Sequence, residues 1–387
     1  MSAPPAVRAV SPSRPRFAVV GNPDDRRVSL FADAVRAAGL PAPRVVPWRD
    51  VLRDRGADFA ADEIVRVDTP GGNAEVDRLL RGASDPTRVE GSARWYAGFT
   101  AALRGLRGGI RLADPGDLAV LFDKRGCHGV LDGAGVPVPA SPTSGPNGAP
   151  VRGWDDVRAL MREHRMPRLF VKPAHGSSAS GVLAVESGRG RIRATTSVEL
   201  TADGRLHNSL RVRRYEREQD LAAVVDALAP DGLHVERWLP KASQGGRTAD
   251  LRVVVVAGRA THAVVRTSRS PLTNLHLGGG RGDLDAARRA VEAAGARWAD
   301  VLGVCERAAS CFPRTLCVGV DLLPAVGWRR ALVGEVNAFG DLLPRLTGLP
   351  GSGAEGLDTY GAQVAAVLRA VARPGPLHPY RTGTPHA

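Results

Sequence analysis

Three short stretches of this chain bring together residue types that handle phosphate and metal chemistry. The first runs from Arg168 to Val185, RLFVKPAHGSSASGVLAV. Its apolar run Leu169-Phe170-Val171 delivers Lys172, Pro173 blocks a continuing ladder, and His175 to Gly181 is a small-residue loop before Val182 to Val185 resumes a strand. Such a loop lets backbone N–H groups approach an anion closely, and a lysine at its root gives it the makings of a phosphate cradle. The plain alternative is a flexible hairpin connection. No Walker motif is present, because the lysine precedes the glycines and no Gly-Lys-Ser/Thr follows.

The other two stretches are Gly334-Glu335-Val336-Asn337 and Val318-Gly319-Val320-Asp321-Leu322-Leu323. In a strand, residues two apart share a face, so Glu335 and Asn337 point together. Asp321 is the one carboxylate in an apolar strand, and burying it is costly unless something compensates the charge. Three oxygen side chains on paired strands suit Mg²⁺ shared with phosphates. The alternative is an ion pair of Asp321 with Arg329 or Arg330 at a hairpin mouth, which accounts for neither Glu335 nor Asn337.

Composition narrows the partners. Of 53 basic residues only three are lysine, Lys124, Lys172 and Lys241. Where arginine is the default cation, a retained lysine marks a place that needs a compact, rotatable ammonium. Lys241 is read more modestly, as a surface cap of the loop after Trp238. The formal charge of +13 suits anionic ligands. Aromatic content of 5% and scattered arginines argue against nucleic acid as the main partner. Cys127, Cys305, Cys311 and Cys317 lack CxxC spacing and read as core rather than a zinc site. With no apolar run of about 18 residues, a cytoplasmic protein without a membrane partner is expected.

These residues need elements to hold them. The expected fold class is α/β, more fully α+β. Residues 1–15 read as a disordered tail and 374–387 as a second tail. Residues 16–112 read as a small parallel α/β domain opened by Phe17 to Gly21, whose turn Gly21-Asn22-Pro23 lacks a dinucleotide fingerprint. Asp68 and Asn73 there read as turn chemistry. A helix is expected from Ala93 to Leu106, another from Asp114-Pro115, and a third opened by Asp123-Lys124. Two further units are expected, over 113–232 and 233–373. The second is mostly sheet, with strands near 233–238, 251–256, 261–267, 316–323 and 331–336, interrupted by one long helix from Leu284 to Ala309.

Taken in order, Asp123-Lys124, Lys172 with its loop, Glu236-Arg237-Trp238, Asp250-Leu251-Arg252, Arg266, Thr273 to Gly279, Asp321 and Glu335-Val336-Asn337 resemble the ATP-grasp superfamily. The nearest branch is the one that includes the ribosomal-protein glutamate ligases, and the resemblance covers residues 114 to about 345. It implies an ATP-grasp fold with an N-terminal parallel α/β (pre-ATP-grasp) domain. It further implies that Lys124 and Lys172 contact ATP phosphates, and that Gly176, Ser177, Ser178 and Gly181 belong to a loop closing over them. The strand Glu236-Arg237-Trp238 would read the adenine edge, Asp250 the ribose, and Asn274 the triphosphate. Arg266 would stabilise charge at the reacting centre, with Asp321, Glu335 and Asn337 as Mg²⁺ ligands and Mn²⁺ an admissible substitute. Plainer readings are Trp238 as core and Asp250–Arg252 as a same-face ion pair. One departure bears on the acceptor pocket: Ala338-Phe339-Gly340-Asp341 stands where the family usually has Ser or Pro-Gly turn residues.

The implied reaction is ATP-dependent ligation of a carboxylate to an amine or thiol through an acylphosphate, on an amino acid, peptide or protein, by a chain that could form a homo-oligomer. The alternatives are a kinase on the same fold and a non-catalytic ATP- or nucleic-acid-binding protein. Substrate-dependent ADP release separates the last from the others, and product mass separates the first two.

Overall fold

The computed structural model describes residues 15–372 apart from 83, 84, 86, 177, 178, 189 and 342. Residues 1–14 of the first expected tail, all of the second, and Ser177 and Ser178 therefore lie outside the described residues. The chain opens with β1 (Arg16–Gly21), α1 (Arg26–Ala37), β2 (Arg44–Pro47), α2 (Trp48–Arg53), β3 (Ala57–Val67), α3 (Ala74–Arg81), α4 (Ser92–Arg104) and β4 (Leu106–Arg111). These strands form a parallel sheet in the order β2-β1-β3-β4. Alternate residues of β1 enter two different cores, Ala18 and Val20 one, Phe17 and Val19 the other. A strand covered on both faces has to be apolar, as Phe17 to Val20 of this one are.

Two helices then lead to the site, α5 (Pro115–Leu121) and α6 (Lys124–Gly133). The Asp114 carboxylate accepts from Gly116 N and Asp117 N, and the Asp123 carboxylate accepts from Arg125 N and Gly126 N. Each is an N-cap, and the second makes Lys124 the first residue of α6. Next come α7 (Trp154–Glu163), β5 (Arg168–Pro173), β6 (Leu183–Gly188), β7 (Arg191–Leu200), β8 (Leu206–Tyr215), α8 (Glu218–Leu228) and β9 (Leu233–Arg237). They build an antiparallel sheet, β8-β7-β6-β5-β9, with its own apolar core against α7 and α8. The expected boundary at 232/233 separates β9 from this sheet, yet β9 pairs with β5 along its whole length.

The last part contains β10 (Ser243–Gln244), β11 (Arg247–Val256), β12 (Arg259–Ser268), β13 (Gly280–Arg281), α9 (Leu284–Ala293), α10 (Trp298–Ser310), β14 (Cys317–Pro324), β15 (Ala331–Asn337) and α11 (Thr359–Val371). Its sheet runs β13-β12-β11-β14-β15, with β10 paired to β11. The single long helix expected from Leu284 to Ala309 is two helices, because the chain turns at Gly295, whose φ is 82°. The Cys127, Cys305 and Cys317 thiols are free and buried, and Cys311 is half-buried. Among the described residues no helix is long and apolar enough to cross a membrane.

Candidate active site

Side chains of β5, β9, β11, β12, β14 and β15 meet around one cleft of about 950 Å³. Strand alternation explains why. In β5, Leu169 and Val171 enter the core of the central sheet, so Phe170 and Lys172 face the cleft. Lys172 Nζ lies 2.6 Å from Glu236 Oε1, and Glu236 Oε2 lies 3.3 Å from His234 Nε2. Burial would raise the Glu236 carboxyl, but the Lys172 ammonium and His234 reverse this and bring it down to about 2. Burial likewise works against the Lys172 charge, and Glu236 outweighs it, so that the lysine is held above its ordinary value. Lys124 Nζ donates to Gly176 O (2.6 Å) and to Glu335 Oε1 (2.7 Å), while its backbone N–H donates to Ala174 O (2.9 Å). The start of α6 is thereby tied to both ends of the segment that precedes the Gly/Ser loop.

Opposite the lysines, the β-sheet register sets the carboxylates. Asp321 is paired with Glu335 across β14 and β15, and Gly319 with Asn337. On the other side Arg252 pairs with Asp321, and Asp250 with Arg266. Asp321 takes Arg252 Nε at 2.5 Å and Arg266 Nη2 at 3.0 Å, so its ion pair is with these two arginines and not with Arg329 or Arg330. Burial pushes the Asp321 carboxyl up, and the two guanidiniums more than reverse this. Asn337 Nδ2 donates to Gly319 O (3.2 Å), committing its amide N–H to the strand.

Eleven of the expected residues line this cleft: Lys124, Lys172, Gly176, Glu236, Arg237, Asp250, Arg266, Asn274, Asp321, Glu335 and Asn337. Gly181 and Trp238 do not. The Trp238 ring packs on Phe170 (centroids 5.4 Å) under the Arg168 guanidinium. The Arg237 and Trp238 N–H groups donate to Ala140 O and Arg168 O, and Leu239, just past the strand, lines the cleft with Glu236 and Arg237. Asp250 is more tightly engaged than a ribose contact requires. Its carboxylate accepts from Arg266 Nε (2.8 Å), Lys241 Nζ (3.3 Å) and the Thr273 hydroxyl. It pairs with Arg266 and not with Arg252. Lys241, expected at the surface, is buried here and bonded to Thr273 Oγ1 (3.0 Å), with burial lowering its ammonium. Arg252 and Thr273 enter the site without having been assigned a role from sequence. The Asp250-x-Arg252 spacing was the available signal, since alternate residues of a strand share a face. Apolar walls come from Phe170, Val182, Leu239, Leu272 and Leu323.

No protein-family model matches this sequence, and no curated protein matches it. Solved structures do. The ATP-grasp ligase PsnB complexed with minimal precursor is 17% identical with a TM-score of 0.51, over 91% of this chain and 98% of that one. PsnB with a phosphomimetic variant of its minimal precursor, Mg and ADP gives 17% and 0.53, over 92% and 98%. D-cycloserine synthetase DcsG gives 16% and 0.53, over 91% and 99%. The chain has the ATP-grasp fold. At these identities the likeness establishes the architecture, and the chemistry has to be argued from the residues.

In this ATP-grasp fold the metal question turns on the donor set. Among the described residues no group of three or more His, Cys, Asp or Glu is placed to hold a metal ion. The set Asp321, Glu335 and Asn337 offers two carboxylates and one amide oxygen. That is too few for a self-sufficient cage, but it suits Mg²⁺, which keeps waters and shares its shell with phosphates. The lysine and arginine partners of Asp321 and Glu335 occupy the same carboxylates by ion pairing, as an anionic pair requires.

Proposed function

We propose that this protein is an ATP- and Mg²⁺-dependent ligase that joins a carboxylate to an amine through an acylphosphate. The observation that carries the reading is the facing of Lys124, Lys172 and Arg266 against Asp321, Glu335 and Asn337 around one cleft with apolar walls. PsnB, a structural neighbour whose structure is complexed with a phosphomimetic variant of its minimal precursor, Mg and ADP, supports a nucleotide and Mg²⁺ in this reading. The base would lie between Phe170, Val182, Leu239 and Leu323, with the Leu239 backbone at its edge. Lys172 and Lys124 would hold the phosphates. Asp321, Glu335 and Asn337 would hold Mg²⁺, or Mn²⁺ in its place, which supplies charge neutralisation at the γ-phosphate.

The substrate carboxylate attacks the γ-phosphorus, the bond to the β–γ bridging oxygen breaks, and ADP leaves. An amine then attacks the acyl carbon and releases inorganic phosphate. Little covalent help is needed from protein groups. Alignment and charge stabilisation suffice, and Arg266, fixed by two carboxylates, is the preorganised donor for this. The test is ADP release screened over amino acids and peptides, with mass spectrometry of any product. An amide product supports the ligase, a phosphate ester redirects the reading to a kinase, and ATP binding without turnover removes the enzyme.

A further inference from the structure

The sheet face that carries the site continues beyond it. Along β11 the same-face positions are Asp250, Arg252, Val254 and Val256. The first two line the cleft, and the last two are buried in a core shared with the N-terminal domain and α11. Arg252 stands at this border. Its Nε and Nη2 go to Asp321, while its Nη1 lies 3.3 Å from Asp341 Oδ2. The other oxygen of Asp341 faces Arg27 Nη2 of α1 at 3.8 Å, and Arg27 Nη1 donates to Phe339 O (3.4 Å). One carboxylate therefore sits between guanidiniums from two different elements, α1 and β11. It is not sealed off: the Arg27 and Asp341 side chains are 22% and 26% exposed.

Bare backbone contact fixes the position of Asp341. A Cβ on Gly319 would lie 2.9 Å from Gly340 O, and one on Gly340, whose φ is 63°, would lie 2.7 Å from Cys317 Sγ. The two glycines let the segment lie flat on the sheet, Phe339 packs on Phe122 (5.6 Å), and Asp341 emerges beside Arg252. This is the segment whose sequence departs from the usual turn residues.

Two guanidiniums converging on the Asp341 carboxylate, one of them Arg252, which lines the cleft beside Asp321, are suited to a carboxylate, which arginine binds by paired N–H bonds. We propose that Arg27 and Arg252 form the subsite for a carboxylate of the acceptor acid, and that Asp341 is a resident carboxylate filling it until the acceptor displaces it. Naming the ligand an acceptor rests on the ligase reading, whereas the anion subsite does not. An acid that brings only its carboxylate must compete with an intramolecular one, so simple acids are disfavoured against substrates with further contacts.

Succinate and L-glutamate, titrated calorimetrically into the full chain with and without Mg²⁺ and a non-hydrolysable ATP analogue, test this. Asp341→Asn should bind them about tenfold more tightly than the parent, the gain expected if the subsite is nine-tenths occupied by its own carboxylate. Arg27→Gln in the Asp341→Asn background should remove the gain. On the parent, saturating succinate should speed hydrogen exchange at Phe339 to Asp341, a readout that does not depend on the variants folding. No gain in a folded Asp341→Asn protein, a gain that survives Arg27→Gln, or unchanged exchange in the parent each overturns the subsite. Binding of the nucleotide analogue, read on the same samples, reports separately on the ligase reading.

Discussion

At the scale of single residues, the site is built from opposite charges that are buried together, and this makes its residues unequal in what their loss does. Lys172 is paired with Glu236, and both side chains are almost entirely out of water. Lys172→Met should abolish nucleotide binding and also destabilise the fold by about 3–5 kcal/mol, because it leaves Glu236 buried and unpaired. The double variant Lys172→Met/Glu236→Gln should recover much of that stability while still failing to bind nucleotide. Urea unfolding and nucleotide titration of the three proteins form the cycle that checks it. The sign of the pH dependence follows from the same pair. Glu236 is depressed from its ordinary 4.5 to about 2, so its contribution is complete above about pH 4.5 and drains as pH falls toward 2. The amount at stake is on the order of 3 kcal/mol. Acid unfolding of Glu236→Gln should therefore lose a step between these values that the parent shows. Glu335 is a different case, since it is half-exposed and holds Lys124. Glu335→Gln should lower turnover by about a thousandfold, in the range for losing one main electrostatic stabiliser. Its melting temperature should stay near the parent's, and a destabilised but active protein would overturn the assignment of Glu335 to the metal.

At the scale of elements, the loop after β5 is anchored at its root. The His175 ring stacks on Tyr96 of α4 (3.9 Å, 9° between planes), and its Nδ1 lies 3.1 Å from Phe122 O. Gly176 gives its carbonyl to Lys124. Nucleotide should slow amide exchange at Gly176 and at Ala179 to Gly181 while leaving His175 nearly unchanged, since its stacking is already in place. Equal protection with and without nucleotide would count against a closing loop. The sequence was legible where a local rule acts alone. Apolar runs marked β11, β12, β14 and β15, Asp114-Pro115 and Asp123 marked helix starts, and two-residue periodicity put Glu335 and Asn337 on one face. It was silent where partners are set by register or by distant packing. β4, Leu-Arg-Gly-Gly-Ile-Arg, has no strand signature and is held by pairing with β3 across an irregularity between Phe59 and Ile64. The Asp250 cluster unites residues from four separate segments, and the Arg27–Asp341–Arg252 contact joins positions hundreds of residues apart. No propensity or motif reports such contacts.

At the scale of the whole molecule, the cores do not follow the linear order of domains. Among the described residues, neither core to which the N-terminal sheet contributes is confined to it. Phe17, Val19 and Ile64 share one cluster with Val254, Val264 and α11 residues Tyr360, Val364 and Val367, while Ala18, Val20 and Trp48 share another with Leu251, Val253 and Val333. A buried Arg66–Asp68 pair lies within that seam, with Gln363 of α11 accepting from Arg66 Nε (3.3 Å). The central sheet is different. Its cluster, built from Leu169, Val171, Leu183, Val185 and the inner faces of α7 and α8, is separate from both. Two cooperative units are therefore predicted where the sequence suggested three. Residues 16–112 expressed alone should fail to fold, because both faces of their sheet share a core with residues of β11, β14, β15 or α11. Native-state exchange in low denaturant should show the amides of β5 to β9 opening together at one free energy, and those of β1, β3, β11 and β14 opening together at another. Asp68→Asn, which leaves Arg66 buried without its partner, should lower the second free energy by about 3–5 kcal/mol and leave the first in place. If it instead lowered both equally, the cleft between the sheets would be closed by one continuous cooperative body.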